Sequence, residues 1–127
     1  MTSVEVPYSV ACVLPSLVVL DITNEVAHEV ARAESPDGIA FVTADEDGLI
    51  RVNERESGFF ADVEELLERL VAADATGRER LLAFLLGART EQVPFAHGQL
   101  CLGQWQRILL FGFSEQVAPE WSLTLVG

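Results

Sequence analysis

Over the first fourteen residues Val4, Val6, Tyr8, Val10, Cys12 and Leu14 take every second position, with Glu5, Pro7, Ser9, Ala11 and Val13 between them. A two-residue period puts one set on each face of an extended segment, so the stretch predicts a strand. Pro7 cannot donate to a ladder and assigns that strand to a sheet edge; Pro15-Ser16 breaks the run before residues 17–20 return as the second arm of a hairpin. The period then lengthens. Val26, Ala27, Val30, Ala31 and Ala33 form a stripe one helical face wide behind the capping oxygens of Asp21 and Thr23, which predicts a helix over 23–33. Pro36-Asp37-Gly38 ends that region as a turn.

Residues 39–44 and 49–54 read as two more strands, joined as a second hairpin across Asp45-Glu46-Asp47-Gly48. Val63, Leu66, Leu67, Leu70 and Val71 follow the i, i+3, i+4, i+7, i+8 rule of a core-facing helix, with Asp62, Glu64, Glu65, Glu68 and Arg69 on its wet side. Thr76 and Glu79 have capping-box spacing, and Leu81, Leu82, Leu85 and Leu86 carry a third, shorter helix to Gly87. From Thr90 on, Val93, Phe95, Leu100, Leu102, residues 108–113, Trp121, Leu123 and Leu125 predict an antiparallel meander. This order of elements gives an α+β fold, an antiparallel β-sandwich or meander with two to three helices. No linker, repeat or low-complexity stretch interrupts it, so residues 1–127 read as a single domain.

Composition narrows the function classes. Eight basic residues against 20 acidic ones give a formal charge of −12, and half the residues are hydrophobic, enough for a packed core. Every basic residue is an arginine, which removes lysine Schiff-base chemistry and the phosphate loop that ends in Gly-Lys-Ser/Thr. A sequence pI near 4.3 repels phosphate backbones and anionic headgroups, so neither nucleic acid nor membrane is an expected partner. The first residues lack a basic segment followed by an apolar one, and the expected location is the cytoplasm. Cys12 and Cys101 each sit in a strand-like apolar context and read as buried free thiols.

Several residue types invite a chemical reading. Asp45, Glu46 and Asp47 are oxygen ligands for a hard cation, but without EF-hand spacing they fit a solvated hairpin tip better. His28 falls on the polar face of the first helix and His97 before Gly98 at a chain reversal; neither has metal-site spacing, so no metal and no cofactor is expected. Asn53-Glu54 closes an apolar strand, where a carboxylate held at a fixed position still reaches solvent and can serve as acid or base. The plainer alternative is a capping or ion-paired Glu54 among Arg51, Arg55 and Glu56. Trp105-Gln106 can stack on and hydrogen-bond a ring, or fill a core or interface.

The run from Thr90 to Ile108 resembles the signature of the YjbQ-like family, whose members are described as secondary thiamine-phosphate synthases. Gly98, Gly103, Trp105, Gln106 and Ile108 keep the family spacing, while Gln104 stands where a Thr is usual. Residues 49–54 are similar to the family strand ending in Asn-Glu, and residues 83–87 to its Ala-Ser-Leu-Leu-Gly helix end. The departures are chemical. Where the family has Pro-His-Thr-Thr this chain has Ala44-Asp45-Glu46-Asp47. Its His-Asp-Glu-Gly-Asn loop and His-Leu-Lys-Ala helix correspond to Ala75-Thr76-Gly77 and Arg80-Leu81-Leu82-Ala83. The family's strand of Cys-Glu-Phe-Asp type is altered to Phe111-Gly112-Phe113-Ser114. Imidazole binds metals in its neutral form and moves protons near neutral pH, whereas the arginine at position 80 is permanently charged.

The resemblance implies a YjbQ-like α+β sandwich assembled as a homotrimer with pockets near subunit boundaries. Residues 108–113, apolar on both faces, agree in asking for cover beyond two layers. Two functions follow. In the first, the chain keeps the scaffold without the histidine chemistry and serves as a structural, binding or regulatory domain. In the second, a thiamine-phosphate-synthase-like transferase handles a small phosphorylated heterocycle, with Glu54 as catalytic acid or base, Arg80 as phosphate clamp, and Asp45, Asn53, Trp105 and Gln106 as ligand contacts. The second requires Asp45, Glu54, Arg80 and Trp105 to converge on one cleft.

Overall fold

Strands β1 (Ser9–Leu14) and β2 (Leu17–Asp21) pair antiparallel, as the first hairpin predicts. The computed structural model describes residues 9–45, 48–72, 74–87, 89–113 and 120–127; the predicted strand start from Val4 to Tyr8, the Glu46-Asp47 tip and Ser114 lie outside them. Helix α1 (Thr23–Ala31) follows β2, then β3 (Gly38–Ala44), β4 (Gly48–Glu54), α2 (Ser57–Leu70), α3 (Arg78–Leu86), β5 (Thr90–Ala96), β6 (Gln99–Leu100), β7 (Gln106–Gly112) and β8 (Trp121–Val126). The strands form two antiparallel sheets, ordered β1-β2-β7-β4 and β6-β5-β3-β8.

This arrangement bears out the α+β sandwich and corrects its connectivity. Strands β3 and β4 are not a hairpin: Ala44 pairs with Trp121 of β8, while Gly48 pairs with Gly112 of β7, so the chain changes sheets between them. Nor do the C-terminal strands run as one meander, since β5, β6 and β8 lie in one sheet and β7 in the other. Burial explains the division. Strand β3 buries only alternate residues, Ala40, Val42 and Ala44, as expected with one face toward solvent. Strands β2 and β7 bury consecutive residues, Leu17–Asp21 and Ile108–Gly112, and must be covered on both faces.

That cover comes from within the chain. Val18, Leu20, Ile50, Ile108 and Leu110 meet Ala40, Val42, Val93 and Phe95 of the second sheet and Val26 and Val30 of α1. On the other face, Leu17, Val19, Leu49, Leu109 and Phe111 meet Phe60 and Leu67 of α2 and Leu82 of α3. The layers are therefore sheet, sheet and helices, and the two-faced apolar strand at 108–113 needs no second copy to bury it.

Local chemistry departs from the sequence expectations at three helix features. Helix α2 is capped by Glu56, whose carboxylate accepts from the Gly58 and Phe59 amides at 2.8 and 2.7 Å. The Thr76–Glu79 capping box does not form; α3 starts at Gly77 in the left-handed region, φ 71°, with no side-chain cap. On α2 the buried residues are Phe60 and Leu67, while Leu66 and Leu70 of the predicted stripe are 55% and 51% exposed. Glu64 and Glu68 keep to the wet side, neither of them buried, and also hold the β1–β2 turn by accepting from the Ser16 amide and hydroxyl.

The reversal between β5 and β6 is a two-residue turn in which His97 and Gly98 both have positive φ, 54° and 74°, the geometry that matches the twist of paired strands. His97 is exposed and its amide donates to Asp37, so the turn reading holds. Cys12 and Cys101 are free as expected; Cys12 is half-buried, and Cys101 is exposed rather than buried. At Gly38 an added Cβ would sit 2.8 Å from the Phe95 ring and 2.7 Å from the Gly127 Cα, against the Val126 carbonyl. Gly38→Ala is expected to cost about 1–3 kcal/mol as β3 and β8 are forced apart, checked by urea unfolding.

Candidate functional site

The polar residues that matter gather at one end of the first sheet. Strand register sets Asn53 opposite Arg107 and Glu54 opposite Gln106, so the Asn-Glu strand end and the Trp-Gln segment lie side by side although 52 positions separate Glu54 from Gln106. Trp105 precedes Gln106 with its side chain 67% exposed. Gln106 has a local task as well. Its Oε1 accepts from the Gly103 amide at 2.7 Å and its amide donates to the Gly103 carbonyl, closing the turn that presents Trp105. The Asn53 Nδ2 donates to the Glu54 carbonyl at 3.2 Å.

Beside this pair lies a buried carboxylate that sequence reasoning assigned only to helix capping. Asp21, 2% exposed, ends β2 on the same face as Leu17 and Val19, pointing into the helix side of the sheet. One oxygen accepts from the Thr23 amide and hydroxyl at 3.0 and 2.6 Å; the other accepts from Arg107 Nε at 2.8 Å and Arg55 Nη1 at 3.3 Å. Burial alone would raise the Asp21 pKa, but the Arg107 and Thr23 donors outweigh it and hold the carboxyl below its ordinary range. Thr23 Oγ1 in turn accepts from the Ile108 amide, and Arg107 Nη2 donates to Asn24. Asp21 is therefore a fixed anion that orients two guanidiniums, a third or more exposed, toward solvent. With every lone pair aimed at a donor, it is a poor proton acceptor.

The signal for this group was present but long-range. An acid in core register at the end of an apolar strand asks for a cation, yet its partner Arg107 is 86 positions away and only the β2–β7 pairing brings them together.

The other two predicted contacts lie elsewhere. Asp45 is at the opposite end of β4, about 20 Å from Glu54 at ~3.3 Å per residue. Its amide donates to the Glu120 carbonyl, and it borders a cavity with Thr43, Arg89 and Trp121. Arg80 is on the first turn of α3, beside Thr76, Leu81 and Phe84. Its neighbour Arg78 donates to the Phe113 carbonyl just past the Gly112 end of β7, again away from Glu54. Glu54, Asn53, Gln106 and Trp105 thus share one end of the sheet, Asn53 on the helix face with Arg107 and the Glu54–Gln106 pair on the opposite face, and Asp45 and Arg80 do not join them. His28 is exposed on α1, and no group of three or more His, Cys, Asp or Glu side chains able to hold a metal occurs among the described residues.

The family model described as UPF0047 protein YjbQ-like matches residues 15–127. A UPF0047 protein from Archaeoglobus fulgidus is 36% identical over 105 residues, covering 75% of this chain and 80% of that relative. One from Methanothermobacter thermautotrophicus is 32% identical over 111 residues, covering 80% and 75%. Among solved structures, a hypothetical protein from Aeropyrum pernix is similar with a TM-score of 0.77 at 25% identity, covering 87% of this chain and 90% of that one. A YbjQ-like protein of unknown function from Sulfolobus solfataricus has a TM-score of 0.79 at 21% identity, covering 94% and 93%, and speaks to the fold alone.

Proposed function

This chain belongs to the YjbQ-like UPF0047 family, and from that premise we propose that it is a divergent member that keeps the scaffold as a binding domain and has given up histidine chemistry. In this reading residues 1–127 act as one domain, in the cytoplasm and as a homotrimer, in a structural or regulatory role. The observation that carries it is the Asp21 network. The strand-end group is organised by a fixed carboxylate and two arginines, which recognise by charge and shape; Asn53 shares their face of the sheet, and Glu54, Gln106 and Trp105 would add ligand contacts from the strand end itself. No helix among the described residues is long and apolar enough to cross a membrane.

The synthase-like alternative draws less support, because its phosphate clamp Arg80 and its Asp45 lie at the other end of the sheet from Glu54. One experiment separates the two. Thermal-shift and turnover assays with magnesium, manganese, zinc, thiamine phosphate and its pyrimidine and thiazole precursors are expected to show no turnover and no metal-dependent stabilisation. Precursor turnover, or a metal-dependent rise in melting temperature abolished by Glu54→Gln, overturns the proposal. Light scattering is expected to give the mass of three copies, and a monomer overturns the assembly.

A further inference from the structure

On the helix side of the first sheet a cavity lies between α2 and the free edge of β4. It holds about 290 Å³, lined by Leu49, Val52, Phe59, Val63, Leu66, Leu67, Leu86, Phe111 and Phe113, with Asn53 and one charged side chain, Arg51. That charge is unexpected in its setting. The protein carries 20 acidic residues against eight arginines, yet the single ion in its apolar groove is a cation. Arg51 is half-buried and makes no ion pair with any described residue. Its Nη1 donates to the Ile50 carbonyl at 3.1 Å and its Nη2 to the Leu86 carbonyl at 2.9 Å, which fixes the guanidinium across the groove. A guanidinium has five N–H donors, so three remain for a ligand.

We propose that this groove binds a small apolar carboxylic acid, its hydrocarbon body among Phe59, Val63, Leu66 and Phe111 and its carboxylate on Arg51. Both halves of such a molecule are matched. Burying the apolar body is favourable by area, and a carboxylate accepts paired N–H bonds from a guanidinium already held in place by backbone carbonyls. The volume limits the ligand to about ten water-sized groups, near the small end of ligand pockets. That suits a medium-length fatty acid or an arylalkanoic acid. The inference turns on Arg51 and the apolar lining and shares only Asn53 with the strand-end group, so Arg51→Gln separates its failure from that of the function proposed above.

Calorimetric titration of the full chain with octanoate, octanol and octylamine tests it. Octanoate is expected to saturate one site per chain and to bind about tenfold more tightly than octanol, with octylamine weaker than either. Arg51→Gln should erase the preference for acid over alcohol while leaving alcohol binding in place. Should Arg51→Gln fail to fold, Leu66→Asp on the exposed groove wall provides the second variant, and it should weaken acid and alcohol together. Absence of saturable binding, equal affinity for acid and alcohol in the unmodified protein, or acid binding unaffected by Leu66→Asp overturns the proposal. So does a Leu66→Asp variant with lower assembly mass by light scattering, which would assign the groove to a second copy of the chain.

Discussion

Asp21→Ala is expected to destabilise the fold by about 3 kcal/mol, lowering the melting temperature by roughly 10 °C. The carboxylate is 2% exposed and accepts from four donors, two on Thr23 and one each on Arg107 and Arg55. Breaking a buried ion pair costs about 3–5 kcal/mol when the remaining charge stays buried. Here the arginine side chains are 34% and 38% exposed and regain water, which places the cost at the lower end. What cannot be recovered is the link from β2 through Thr23 to the Ile108 amide, which fixes where α1 leaves the sheet. Differential scanning calorimetry measures the loss; a change below about 1 kcal/mol would mean that the network is replaceable by solvent.

The same residue sets an acid limit. Because the folded Asp21 pKa lies below its unfolded value, the folded state binds fewer protons there, and stability falls as pH falls. The contribution is complete above the unfolded aspartate value of about 3.9 and is lost from there downward through the folded pKa. Asp21→Asn carries no titrating group, so its unfolding free energy should change less steeply over that window and approach the parent's at the acid end. Parallel slopes for the two proteins would remove Asp21 from the acid transition.

The pattern of residues exposed some of this and concealed the rest, for reasons of range. Helices α1, α2 and α3 and most strands are local events, set by 3.6- and 2-residue periods, and could be read directly. The partition of strands between two sheets could not, because β3 and β4 are sequence neighbours and only the two-sided burial of β4 and β7 separates them. At the site, Asn53-Glu54 and Trp105-Gln106 were legible as motifs, and the β4–β7 register supplied their contact. Asp21 was visible as a residue but not as a centre, since its meaning depends on Arg107 and Arg55 arriving from distant strands. Arg80 has the chemistry of a phosphate clamp, but its place beside Thr76, Leu81 and Phe84 depends on how α3 packs, which no local pattern shows.

The helix layer allows a prediction in which periodicity and packing disagree. The α2 stripe counted from Val63 places Leu66 in the core and starts one step too late for Phe60, three positions earlier, whereas Phe60 is 0% exposed and Leu66 is 55% exposed. Phe60 meets Phe111 edge-on, ring centroids 6.0 Å apart, and packs with Leu17, Leu67 and Leu82 between helices and sheet. Phe60→Ala is therefore expected to cost about 3–5 kcal/mol, the transfer of a phenyl ring plus the cavity it leaves, or about 10–20 °C in melting temperature. Leu66→Ala removes a side chain already half in water and keeps helix propensity, so its cost should stay at about 1 kcal/mol or less. Denaturant midpoints of the two variants decide the matter. If Leu66→Ala were the more damaging, either the helix is rotated about its axis or its exposed face is covered by another chain; if Phe60→Ala were mild, the helix layer would not be what closes the second face of β7.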